Sequence, residues 1–121
     1  GAAMIQSESG RLLRIHLSEA DTFEGRPLYE KIVALCRNAG IAGATVFRGM
    51  AGFGKTAEMH RAYLVHGDAP IVITIVDTAD RLAALAPRLE ALVNTGMLAY
   101  SDVRFIRVQK STVEEDGQRN P

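Results

Sequence analysis

Ile71-Val-Ile-Thr-Ile-Val76 is six residues of which five are β-branched aliphatics and the sixth is a threonine. A run this short, bounded by Pro70 and Asp77, predicts a strand placed centrally in a sheet, since both of its faces are apolar. Working downstream, Asp77 or Thr78 caps a helix reaching about Asn94, with Leu82, Leu85, Leu89 and Leu92 at helical spacing on one face. Pro87 should bend that helix and Gly96 should stop it. Residues 99–108 then read as the last strand. Upstream, the turn His66-Gly-Asp-Ala-Pro70 follows His60-Arg-Ala-Tyr-Leu-Val65, which is expected to return antiparallel after Ala44-Thr-Val-Phe-Arg48. Between these two stretches lies Gly49-Met-Ala-Gly-Phe-Gly54, whose glycines mark a sharp bend or a close approach.

The first third of the chain completes the pattern. Arg11-Leu-Leu-Arg-Ile-His-Leu17 lacks helical periodicity and reads as the first strand. Pro27 stands at a first helical position, with Leu28, Ile32 and Leu35 on one face and Tyr29, Val33 and Cys36 widening the stripe. Gly40 closes that helix, because glycine takes the left-handed closing conformation without steric cost. Glu19, Asp21 and Glu24 between strand and helix read as a solvated acidic loop favourable to the helix dipole. The order β-α-β-β-α-β predicts an α+β ferredoxin-like unit, a four-stranded antiparallel sheet with two helices on one face. The other face then needs a cover, and a second copy of the chain supplies it, so an oligomer is expected.

Composition limits the function. The 121 residues fit one domain, 47% of them hydrophobic and 23% charged. Lys plus Arg number 14 against 14 Asp plus Glu, so no broad field attracts nucleic acid or an acidic membrane. Cys36 is the single cysteine and reads as core packing, consistent with a reducing, cytoplasmic setting. No apolar run approaches the roughly 20 residues of a membrane span. Gly1 to Ala3 read as a cloning scar, residues 1–10 as a flexible start, residues 11–108 as the domain and residues 109–121 as a flexible polar tail.

Gly49-Met-Ala-Gly-Phe-Gly-Lys-Thr56 satisfies the string G-x-x-x-x-G-K-T, in which backbone N–H groups wrap phosphates, lysine neutralises them and threonine holds magnesium. Asp77 after its apolar strand would supply the second magnesium contact, giving a small phosphohydrolase built on Lys55, Thr56 and Asp77. That motif requires a parallel sheet and a long helix after the lysine, which residues 56–65 do not promise. A glycine-rich turn can also offer N–H groups to an anion with Lys55 nearby, or be a plain hairpin loop. The same stretch is only weakly like an aromatic RNA-binding strand, since Phe53 stands alone among the required stacking residues. His16, His60 and His66 have no metal-ligand spacing and read as surface or strand histidines. Nothing resembles a nucleophile with its base.

Glu19-x-Asp21, Gly25-x-Pro27-Leu28-Tyr29, Gly40-Ile-Ala-Gly-Ala-Thr-Val46, Arg48-Gly49, Gly52-Phe53-Gly54, Pro70 and Ile75-Val76-Asp77, in this order, resemble a bacterial and archaeal domain-of-unknown-function family within the PII-like superfamily. The resemblance spans nearly all of residues 11–108. It implies a homotrimer of ferredoxin-like protomers, adenine nucleotides in clefts between subunits, and a loop after the second strand that reports occupancy. Gly52, Phe53, Gly54 and Lys55 match the Gly-Phe-Gly-Arg stretch of nitrogen-regulatory PII proteins, whose next residue, glutamine, is Thr56 here. Thr95-Gly96 leads into Met97 rather than a phosphate loop with its lysine, and Ile71 stands where PII proteins carry a further lysine. With fewer cations the resemblance points to AMP or ADP rather than ATP. Arg104 and Arg107 stand in for the family's terminal arginines, and strand alternation would put them on opposite faces. The nucleotide-binding set implied is Gly49, Gly52, Phe53, Gly54, Lys55, Thr56, Arg104 and Arg107. The partner implied is a membrane transporter or channel. A ligand-free structural trimer is the third alternative.

Overall fold

The computed structural model describes residues 7–52 and 68–109. In chain order the elements are β1 (Glu8–Ser18), β2 (Thr22–Phe23), β3 (Arg26–Pro27), α1 (Leu28–Asn38), β4 (Ala44–Arg48), β5 (Pro70–Asp77), α2 (Ala79–Leu92) and β6 (Met97–Phe105). Strands β4, β5, β1 and β6 lie side by side in that order, each pair antiparallel, as a four-stranded sheet. This is the ferredoxin-like arrangement, with β5 central as its sequence demands. The parallel sheet that a P-loop needs is not formed by the described residues. The expected strand of residues 60–65 lies outside the described residues, as do the start of the chain to residue 6 and the tail from residue 110.

Alternation decides what is buried. Leu13, Ile15 and Leu17 of β1 and Ile71, Ile73 and Ile75 of β5 point to the helices and are buried. Onto them α1 lays Leu28, Ile32, Leu35 and Cys36, and α2 lays Leu82, Leu85 and Leu89. Each such side chain contributes about 1.5–3 kcal/mol by leaving water. Burial raises the Cys36 thiol above its ordinary pKa, so it stays protonated and inert. The opposite sheet face carries Leu12, Val72 and Val76 half-buried and Phe47 and Met97 each 56% exposed, interrupted by Arg14, His16 and Thr74. No described residue covers it.

Helix boundaries follow capping chemistry. Gly40 takes φ 77, and the Ile41 N–H donates to the Cys36 carbonyl at 3.1 Å while the Gly40 N–H donates to that of Arg37 at 3.2 Å. These two bonds are the Schellman closure that the sequence predicts for Gly40. Pro27 is not the first helical residue but the cap before it, with extended ψ of 129. It closes a small hairpin, β2–β3, whose central residues Glu24 and Gly25 both have positive φ, at 50 and 78. Strands of two residues carry no periodicity, so the sequence pattern does not announce this hairpin.

Three more expectations are corrected. β1 begins at Glu8, three residues before the predicted start at Arg11, because residues 8–10 pair with β6. Helix α2, with Pro87 inside it, ends at Leu92, short of Asn94, with Val93 as its cap. Gly96 does not stop the helix. A Cβ there would lie 2.5 Å from the His16 carbonyl oxygen, so this glycine lets the chain come close enough to β1 for β6 to begin at Met97 rather than at residue 99. No helix among the described residues is long and apolar enough to cross a membrane.

Candidate functional site

At one end of the sheet, where β4 finishes and β5 starts, the glycine stretch leaves the fold. The Gly49 N–H donates to the Pro70 carbonyl at 2.7 Å, and a Cβ on Gly49 would meet the Pro70 ring at 2.6 Å. Only glycine admits this approach. Gly52 is unconstrained, since its Cβ would make ordinary contact at 3.6 Å. Beside Gly49 the Arg48 guanidinium grips Glu19 with two parallel bonds, Nε to Oε2 at 2.9 Å and Nη2 to Oε1 at 3.0 Å. The Ala69 N–H also reaches Glu19 Oε1, at 3.4 Å. Asp21 accepts from the Ser18 N–H at 2.9 Å, and the Ser18 hydroxyl donates to Asp68 at 2.8 Å. Glu19 is therefore a fastener between β1 and the approach to β5, and Asp21 closes the local turn after β1 on the Ser18 N–H, correcting their reading as a solvated acidic loop. Glu24, exposed in the hairpin turn, keeps that reading.

The hydrogen bonds from Arg48, outweighing the opposing effect of burial and helped by the Ala69 N–H, hold the Glu19 carboxyl below its ordinary value of 4.5. A lowered folded-state pKa stabilises above the unfolded value, and the contribution is lost as pH falls through the folded one. The stability advantage of the native protein over Glu19→Gln is thus expected to be full at pH 7 and to shrink as pH drops below 4.5. Urea midpoints for both proteins at pH 7, 4.5 and 3 check this; an advantage that does not change with pH rejects the pair as fastener.

The opposite end of the sheet holds the arginines. Asp77, fully buried at the end of β5, accepts from the Thr78 N–H at 2.7 Å and the Ala42 N–H at 3.2 Å. Arg81 and Arg107 face the same carboxylate at 3.9 and 4.0 Å, and Arg81 also donates to the Gly40 carbonyl at 2.7 Å. Asp77 is therefore a structural anchor engaged by backbone and arginine donors, an arrangement unsuited to magnesium. The capping role falls to Thr78, whose hydroxyl accepts from the Arg81 N–H at 3.3 Å. Arg104 of β6 lies opposite Ser9 of β1 and donates through Nε and Nη2 to the Ser7 hydroxyl at 2.9 and 2.7 Å. The expectation that Arg104 and Arg107 occupy opposite faces fails because β6 ends at Phe105, releasing Arg107 from alternation; both turn to the helix-bearing side.

The two halves of the implied site are thus far apart within one protomer. Gly49 and Gly52 sit at the Pro70 end and Arg104 and Arg107 at the Asp77 end, with the eight β1–β5 pairs from Arg11 to Ser18 between them, a span of roughly 23 Å at 3.3 Å per residue. Phe53, Gly54, Lys55 and Thr56 lie outside the described residues, as do His60 and His66. His16 is half-buried on the helix-free face, and no group of three or more potential metal ligands occurs among the described residues. Sequence reasoning missed Arg11, which lies in the arginine end beside Asp102 at 3.5 Å. Only the β1–β6 register could have exposed that pairing.

The family described as uncharacterized ACR, COG1993 (DUF190) matches residues 10–105. A UPF0166 protein of Aquifex aeolicus is 35% identical over 98 residues, 79% of this chain and 92% of the relative. Another, from Methanocaldococcus jannaschii, is 31% identical over 94 residues, 76% of this chain and 87% of the relative. Among solved structures, CPII of Thiomonas intermedia K12, a nitrogen regulatory PII-like protein bound to ADP, AMP and bicarbonate, has the same fold with TM-score 0.61 and 24% identity. That likeness covers 85% of this chain and 93% of CPII. CPII bound to ADP, AMP and acetate gives a TM-score of 0.55 at 22% identity, covering 85% and 94%.

Proposed function

This chain belongs to the DUF190 family, and from that membership and its fold we propose that it is a PII-like signalling protein that binds an adenine nucleotide without turning it over. The observation that carries the reading is the shared fold over 85% of the chain with CPII, a protein solved with ADP and AMP. The separation of the glycine end from the arginine end supports a site between subunits. A second copy can set its arginine end beside the glycine end of the first, and the uncovered apolar sheet face favours such an assembly, a homotrimer. In that cleft Gly49, Gly52, Phe53 and Gly54 offer backbone, Lys55 and Thr56 the polar contacts, and Arg104 and Arg107 the charge. AMP or ADP is the expected ligand, because the cations that would hold a third phosphate are missing. The protein acts in the cytoplasm on a protein partner, a membrane transporter or channel, whose affinity follows nucleotide occupancy by linkage.

Thermal unfolding and calorimetry with AMP, ADP and ATP test this. AMP or ADP at about 100 times its Kd adds about 2.7 kcal/mol and should raise Tm by several degrees. Absence of both a Tm rise and a binding heat with all three nucleotides rejects the reading, and a stable monomer by light scattering at micromolar concentration rejects the intersubunit site.

A further inference from the structure

At the Asp77 end, on the helix-bearing side, the sheet is longer than the helix that covers it. Helix α2 begins at Ala79, and beyond its first turn an open cleft of about 440 Å³ lies between the start of β1 and the end of β6. Ser9, Gly10, Arg11, Ala79, Asp102 and Arg104 line it. Its volume is within the range of small-molecule sites.

The charges in this cleft are unevenly matched. Arg104 is fixed by the Ser7 hydroxyl, which accepts two of its N–H groups and neutralises none of its charge. Arg11 contacts Asp102 at 3.5 Å, but the two side chains are 45% and 93% exposed, so the contact is weak and easily exchanged. Arg81 and Arg107 are engaged by Asp77. Two guanidinium groups therefore face the cleft against one solvated carboxylate. Arg11 pairs with Asp102 and Ser9 with Arg104, so Arg11 and Arg104 are diagonal neighbours on one face, their origins roughly 7–8 Å apart. Long side chains from that distance can converge on one tetrahedral oxyanion. A carboxylate satisfies a single guanidinium fork, whereas a phosphoryl group presents enough oxygens for two.

We propose that this cleft is a phosphoryl-binding subsite in which Arg11 leaves Asp102 to join Arg104 on the anion. The inference deepens the proposed function and rests on it only for the source of the phosphoryl group, a nucleotide as against free phosphate or pyrophosphate. Arg11 is then a binding residue, and Asp102 is its resting partner and the competitor of the anion.

Amide and arginine-Nε NMR titrations with inorganic pyrophosphate and with ADP test it on the full-length protein. Pyrophosphate and ADP should both shift the Gly10 and Val103 amides; Arg11→Gln and Arg104→Gln should each weaken binding about tenfold, and Asp102→Asn should strengthen it several-fold. Urea midpoints close to the native value confirm that the variants are folded. Pyrophosphate binding that depends on Arg11, with no binding of AMP, ADP or ATP, upholds the subsite with an inorganic source and rejects the nucleotide reading. ADP binding with the same affinity in Arg11→Gln rejects the subsite and leaves the nucleotide reading standing. Unmoved Gly10 and Val103 amides with both probes also reject the subsite.

Discussion

Asp77→Ala is expected to cost about 3 kcal/mol of stability, because it leaves buried donors without an acceptor rather than merely deleting a contact. The carboxylate is fully buried and receives the N–H groups of Ala42 and Thr78, each of which costs about 1–3 kcal/mol when left unsatisfied away from water. Arg81 and Arg107 keep access to solvent and add less to the loss. Asp77→Asn retains one acceptor oxygen of similar shape and should cost about half as much. Urea denaturation of the three proteins measures the series. An alanine variant within 1 kcal/mol of the native protein, a loss no larger than one ordinary hydrogen bond, would show that water replaces the carboxylate and that this aspartate is no anchor.

Gly10→Ala is expected to cost about 2–3 kcal/mol through overpacking. The added Cβ would stand 2.5 Å from the Asp77 carbonyl oxygen and 2.6 Å from the Phe105 ring, which lies across the glycine from β6. A ring can rotate away, but the backbone oxygen is held in the β1–β5 pairing. Adding Phe105→Leu to Gly10→Ala should therefore recover only part of the loss. Full recovery would assign the whole cost to the ring, and an unchanged urea midpoint for Gly10→Ala alone would show that β1 gives way at its first residues.

Much of this architecture is legible from local pattern. Ile71 to Val76 announces the central strand, the leucines of α2 fall at helical spacing, and Gly40 is a closing signal whose conformation depends on its own φ. The role of Gly96 and the start of β1 were not legible, since they depend on which strand lies alongside. Gly96 serves the approach to His16, a residue 80 positions away, and no neighbour in sequence reports it. The candidate site divides in the same way. Gly49 and Arg104 are visible as residue types in motif order, whereas the Glu19–Arg48 fork joins residues 29 positions apart and the Arg11–Asp102 contact joins the two ends of the fold. Charged residues carry no periodic signature, so their partners emerge only with the register.

The pairing of β1 with β6 places Glu8 opposite Phe105, so the chain enters and leaves the sheet at one corner. A tether pulling on these two points acts along the β1–β6 hydrogen bonds, which run perpendicular to the strands, and opens them in succession from that corner like a zip. Loading the strands in opposite directions would instead strain all the bonds together. The fold therefore yields to tension at a low force, beginning with the pairs around Gly10 and Arg104, and cargo fused before Glu8 and after Phe105 would sit side by side rather than at opposite poles.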